Sequence, residues 1–287
     1  MKKCIWLVLF LTSTALRGQY FEAGILAGVS NYMGDLSANS SKVYIGETHF
    51  AAGVFGRYNI HNFASVKLGL SYGKLSGKDA NASDQTIRQR NLSFETPIYE
   101  LALTGEFNLP GFQPYNLEQP LSAYLFGGFA VMHFNPSTRY LGQKVLLAPV
   151  GTEGQGLAGR FPRYKLFDFS IPLGIGVKYA LNDTWNVGLE LGGRRAFTDY
   201  LDDVSTTYMA YDELLAGNGP LAAELSNRTG EFLGTPPVNV PTGTPRGDNR
   251  GADLYFIGGI SISYNFMDNG LVGSRGRVRR KSGCKTD

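Results

Sequence analysis

Charge is scarce in this chain: only 18% of its 287 residues are Asp, Glu, Lys or Arg, too few for a disordered, self-repelling segment. Long apolar runs are missing as well. Past the first twenty residues no stretch of about 18 hydrophobic positions occurs, which excludes a bundle of membrane helices. Cysteine is limited to Cys4 and Cys284, and histidine to His49, His61 and His133. These give no zinc-type ligand spacing, and no cofactor is expected. What the chain has in quantity is 37 Gly, 18 Phe and 16 Tyr, a mixture suited to aromatic-rich strands with Gly where an interior is crowded. The expected class is all-β.

The N-terminus reads as an export signal, residues 1–18: Lys2 and Lys3, an apolar stretch from Ile5 to Leu11, then Thr12, Ser13, Thr14 and Ala15. Cleavage fits after Ala15 or after Gly18. Cys4 precedes the apolar stretch and leaves with it, so Cys284 is the one cysteine of the mature chain. The formal charge of +3 is unevenly spread. Residues 267–287 hold six cations and two carboxylates and the signal holds Lys2, Lys3 and Arg17, which leaves the body acidic. The basic balance therefore reports two ends, and together with an export signal it argues against a nucleic-acid partner.

Eight segments alternate apolar and polar residues with period two. The clearest is 167–179, where Phe167, Phe169, Ile171, Leu173, Ile175, Val177 and Tyr179 alternate with small or charged residues. The others are Tyr20–Met33, 48–59, 64–72, 94–108, Leu121–Phe134, 185–191 and Leu254–Phe266; Leu121–Phe134 is apolar on both faces, so its phase is open. Soluble strands commonly run about 5 or 6 residues, whereas a tilted membrane strand needs about 9 to 11. The connections alternate as well: 34–47, 73–93, 135–166 and 198–253 are long, while 60–63, 109–120 and 180–184 are shorter. Long external loops, short periplasmic turns and an even strand count predict an eight-stranded antiparallel transmembrane β-barrel over 19–266, both termini periplasmic.

Aromatics in the greasy phase fall into two groups, as interfacial girdles require. Phe21, Tyr58, Phe107, Tyr179, Trp185 and Phe266 mark one rim, and Phe50, Tyr72, Tyr99, Phe167 and Phe256 the other. The competing arrangement is a soluble ligand-binding barrel with its greasy face inward. The Gly- and Ser-rich opposite face suits a crowded interior better than a solvated exterior. Facing inward are Glu22, Arg57, Lys67, Glu100, Glu106, Asp168, Lys178, Glu190 and Arg194. In so narrow a barrel they are expected to pair as a polar core and leave no diffusion channel.

Catalysis at such a barrel needs a His beside a Ser or carboxylate near the outer rim. No nucleophile motif accompanies His49, His61 or His133, and no catalytic residue is assigned. Asp199-Tyr200-Leu201-Asp202-Asp203 could hold a calcium ion, but without the periodicity of a calcium loop it reads as an acidic turn ordering the long fourth loop. Gly234 to Gly251, rich in Pro and Gly, reads as flexible or extended. The tail, residues 267–287, carries Arg277, Arg279, Arg280, Lys281 and then Cys284. It reads either as a solvated extension or as a docking peptide: the cations suit an acidic partner, and an unpaired Cys in an oxidising compartment suits an intermolecular disulfide.

Two runs carry a resemblance. Gly24-Ile25-Leu26-Ala27-Gly28-Val29-Ser30-Asn31-Tyr32-Met33-Gly34-Asp35-Leu36 and Gly193-Arg194-Arg195-Ala196-Phe197-Thr198-Asp199-Tyr200-Leu201-Asp202-Asp203-Val204-Ser205 resemble the PorG family, outer-membrane barrels of the type IX secretion system of Bacteroidota. A basic tail with a late Cys is similar too. The resemblance implies a non-enzymatic component that anchors a periplasmic ring, built from a lipoprotein and its partner, to the outer membrane. A stand-alone surface barrel with adhesive or ligand-binding loops is the alternative, and a lipid hydrolase a distant third.

Overall fold

The computed structural model describes residues 20–37, 44–112, 120–247 and 252–266. The leader and the tail, with Cys284 and its neighbouring cations, lie outside these described residues. The described residues form ten strands: β1 Tyr20–Met33, β2 His49–His61, β3 Ala64–Lys78, β4 Ser93–Leu109, β5 Leu121–Phe134, β6 Ser137–Tyr140, β7 Gln143–Leu146, β8 Phe167–Ala180, β9 Trp185–Ala196 and β10 Leu254–Phe266. Eight of them, β1 to β5 and β8 to β10, pair antiparallel around a closed ring in which β10 returns to β1. Closure removes every edge, the condition for a sheet to sit in hydrocarbon. The short β6–β7 hairpin extends the loop end, where Ser137 pairs with Glu95 of β4.

The alternation sorts the wall into two faces. Outward, Ile25, Val54, Leu68, Leu70, Leu101, Leu103, Leu173, Ile175, Leu189, Leu191, Ile260 and Ile262 are exposed. Inward, the same strands bury Glu22, Arg57, Lys67, Glu106, Lys178 and Glu190. An apolar exterior around a polar interior is the inverse of a soluble ligand-binding barrel and the arrangement of a membrane-spanning one. The two aromatic groups lie in the outward phase at opposite ends. At the loop end, side chains of four adjacent strands run Tyr72–Tyr99–His133–Phe167, with ring centroids 5.2, 6.3 and 4.6 Å apart. At the opposite end, where β1 begins and β10 finishes, Phe21 meets Phe266 at 5.7 Å and Tyr264 meets Trp185 at 5.2 Å.

The open phase of β5 is settled by space. Leu121, Leu125, Phe129 and Val131 face outward, while Tyr124, Phe126, Ala130, Met132 and Phe134 are buried. The inward rings fit because glycines stand opposite them. A Cβ on Gly174 would come within 2.4 Å of the Phe126 ring, and one on Gly176 within 2.4 Å of Tyr124.

Several elements differ from the sequence reading: β9 runs five residues past Leu191 to Ala196, and the long connection 135–166 contains the β6–β7 hairpin. β3 runs to Lys78, six residues past Tyr72, because 73–78 pair with β4 up to Ser93 even though Gly and Lys break their alternation. The fourth loop also holds three short helices, Tyr211–Asn218, Pro220–Ser226 and Thr229–Leu233. The first two pack together through Tyr211, Leu214, Ala222 and Ala223 against Val150 and Met209, a contact with no period long enough to read from sequence.

Candidate functional site: a filled lumen and a clasped mouth

Side chains occupy the lumen in two layers. In the lower one Glu106 sits among three cations: Arg57 Nε at 2.9 Å, Lys178 Nζ at 2.6 Å and Lys67 Nζ at 3.8 Å. Glu22 accepts from Arg57 and Ser263. Glu190 accepts from Lys67 at 2.5 Å and from the Tyr124 hydroxyl at 2.9 Å. Three carboxylates thus balance three cations, which is how buried charge is kept tolerable. Rings close over the cations, with Lys178 4.5 Å above Tyr124 and Arg57 4.9 Å above Phe55. In the upper layer Glu100 accepts from Tyr255 at 2.5 Å and stands 3.5 Å from Arg194, whose guanidinium also donates to the carbonyls of Gly192 and Ile257. Between the layers lies a cavity of about 50 Å³, room for a water or two and not a pore. Asp168 does not join these layers; it is half-buried at the rim and accepts from the Phe169 amide at 2.7 Å.

Above the ions the loop-end mouth is shut by an apolar layer. Leu36, Leu92, Leu201 and Val204 descend from three loops onto Tyr32, Phe94, Ile98, Met132, Phe134, Tyr255 and Ile257 of the wall. The acidic turn is what drives Leu201 and Val204 inward. Asp202 and Asp253 are each 1–3% exposed and both contact the Tyr32 hydroxyl, at 2.8 and 2.6 Å. Asp202 also accepts from the amides of Leu36 and Val204, and Asp253 from that of Leu201.

A phenol carries one proton and can donate to one carboxylate, so the second contact must run the other way, from a protonated carboxyl to the phenol oxygen. Among the described residues Asp253 Oδ1 makes the shorter contact and accepts from no amide, so we assign the proton to it. Burial raises both acids well above the ordinary carboxylate range, Asp202 further through Asp253 and Asp35, and Asp253 further through Asp199 and Asp35.

Neighbouring groups lock the turn from outside. Asp203, pushed up to about 6 by burial, accepts from Thr152 and Tyr164 at 2.5 and 2.6 Å. Glu153 takes the amides of Ser205 and Thr206 and pairs with the buried Arg246 at 3.0 Å. Arg90 grips Asp79 with two bonds of 2.7 Å and donates to the Arg246 carbonyl. The turn therefore orders the fourth loop, with Asp202 and Asp203 accepting from protein donors. The stretch before Arg246 is pinned, the Tyr208 amide bonding to the Thr244 carbonyl and Thr207 bridging Pro245.

Tyr32 shares the inward phase of β1 with Glu22. Glu153, Arg246, Arg90 and Asp253 lie outside any alternation and were missed. So was a contact at the rim: His49 Nε2 stands 2.6 Å from the buried Ser76 hydroxyl, which also bonds Glu47. The carboxylate binds the hydroxyl and not the far ring nitrogen, so it does not orient the imidazole as a hydrolytic relay needs. His61 lies at the β2–β3 turn stacked on Phe63, and His133 in the outward girdle. The assigned partner residues Cys284, Arg277, Arg279, Arg280 and Lys281 are outside the described residues.

Fold and site together define a small outer-membrane β-barrel with a filled lumen and a closed mouth. Residues 1–222 match the family DUF6089, a domain of unknown function, and the chain belongs to it. No curated protein matches the chain. Solved structures similar to it include the N-terminal β-barrel domain of Pseudomonas aeruginosa OprF, 12% identical over 85% of this chain and 97% of that one, with a TM-score of 0.33. Neisserial surface protein A is 8% identical over 86% and 97%, TM-score 0.38. Pseudomonas aeruginosa OprG is 11% identical over 87% and 96%, TM-score 0.38. Closure and facing are established by this chain's own pairings and not by these likenesses.

Proposed function

We propose that the chain is the barrel component of the type IX protein secretion system and that it anchors the periplasmic ring complex to the outer membrane, with no reaction catalysed. The observation that carries this reading is the filled and clasped lumen. A barrel that conducts nothing offers position, and position is what an anchor supplies. The two runs that resemble the PorG family support it from another side, because they meet in the clasp: Tyr32 and Leu36 come from the first, Leu201, Asp202 and Asp203 from the second. In this reading residues 1–18 are the export signal, both termini are periplasmic, and the tail 267–287 engages an acidic surface of the ring through Arg277, Arg279, Arg280 and Lys281. Cys284 then forms a disulfide with a periplasmic lipoprotein.

Deletion of residues 268–287 tests the proposal. The truncated barrel should assemble normally while secretion across the outer membrane is lost. Undiminished secretion would overturn it and leave a surface barrel that acts through its loops.

A further inference from the structure

We propose that the loop-end rim around Arg195 binds the phosphate of a membrane lipid headgroup. Arg195 is exposed on the outward face of β9, with Ile171 of β8 and Leu254 of β10 as its register neighbours. Phe197, two residues on, is 62% exposed. Two residues back the Phe256 ring lies against Gly193, 3.4 Å from where a Cβ would stand. Arg195 is thus one step beyond Phe256 of the aromatic girdle, at the depth where headgroups meet hydrocarbon, and apolar side chains surround it.

Every other cation of the wall is accounted for. Arg57, Lys67, Lys178 and Arg194 face inward and are paired with carboxylates. Lys74, outward and equally far beyond Tyr72, is bridged to Glu95 at 2.9 Å, and Lys78 at the end of β3 to Glu47 at 3.7 Å. Among the described residues Arg195 alone of these stands outward with no carboxylate beside it. A guanidinium held against apolar surface needs a counter-anion from its surroundings, and its planar fork matches phosphate with two parallel bonds. The flanking Ile171, Leu254 and Phe197 offer acyl chains the surface that a soluble anion would leave bare, which selects a lipid. Lys165, exposed in the loop two residues before the start of β8, supplies a second cation at the loop end.

The full chain in dodecyl maltoside, examined by native mass spectrometry, tests this with two probes: bisphosphorylated lipid A and the same lipid enzymatically dephosphorylated. The wild type should retain the phosphorylated form about tenfold better, the scale of a charge-assisted pair of bonds. Arg195→Gln should lose most of that preference, Arg195→Lys part of it, and Lys144→Gln on the β6–β7 hairpin none, each variant first shown folded by its fast migration in unheated gels. Equal retention of both lipids by the wild type, a comparison that needs no variant, would overturn the proposal. So would displacement of the lipid by millimolar inorganic phosphate, since the site would then take a soluble anion.

Discussion

Glu106 is the residue on which the lumen's charge balance turns, with Arg57, Lys178 and Lys67 around it. Removing it leaves cations without their shared partner, and breaking a buried pair costs about 3–5 kcal/mol. Glu106→Ala should accordingly lower the urea midpoint of the refolded barrel, whereas Glu95→Ala at the partly exposed Lys74 pair should change it little; equal midpoints for the two variants would contradict the network. The clasp predicts a pH dependence. Between them Asp202 and Asp253 hold one proton in the folded state at pH values where the unfolded chain has released it. The clasp therefore weakens as pH rises from the ordinary carboxylate range through the raised folded pKa, and Asp203 adds the same sign up to about 6. Hydrogen exchange at Leu201 and Val204, corrected for intrinsic rates, should quicken with pH. Asp253→Asn, whose amide can donate to the phenol and accept from Leu201, should flatten that slope; an unchanged slope would remove the proton from Asp253. Phase alone revealed which charges face inward, eight of nine of them being buried there, but which carboxylate meets which cation depends on register between strands distant in sequence.

At the scale of elements, β8 shows why the strands were legible. Its strict alternation fixes the wall's facing, and Leu173, 62% exposed near mid-strand, is a direct probe of it. Leu173→Arg should cost about 2 to 4 kcal/mol at the membrane centre and be read as a matching fall in folding yield into liposomes; wild-type yield would mean that this face is not in lipid. β5 was ambiguous because both of its faces are apolar, and only glycines on β8 and β9 decide which aromatics turn inward. The end of β3 and the helices of the fourth loop were hidden for a related reason. Outside the hydrocarbon no facing rule constrains composition, so pairing and packing proceed without a period.

For the whole molecule, the sequence carried the closed barrel, the two girdles and a filled interior, and it carried the acidic turn without its depth. That Asp202 and Asp203 would be buried beneath Leu36 and beside Arg246 needed the contacts of three loops at once. A filled and clasped barrel should pass no steady current in planar bilayers, and stable single-channel steps from the wild type would contradict the packing described. The central claim, anchorage through the tail, is tested most directly by non-reducing isolation of the tagged protein from outer membranes, wild type beside Cys284→Ser. The account predicts a disulfide-linked band containing a periplasmic lipoprotein that disappears in the variant. Recovery of the barrel alone from both, even after chemical cross-linking, would contradict it.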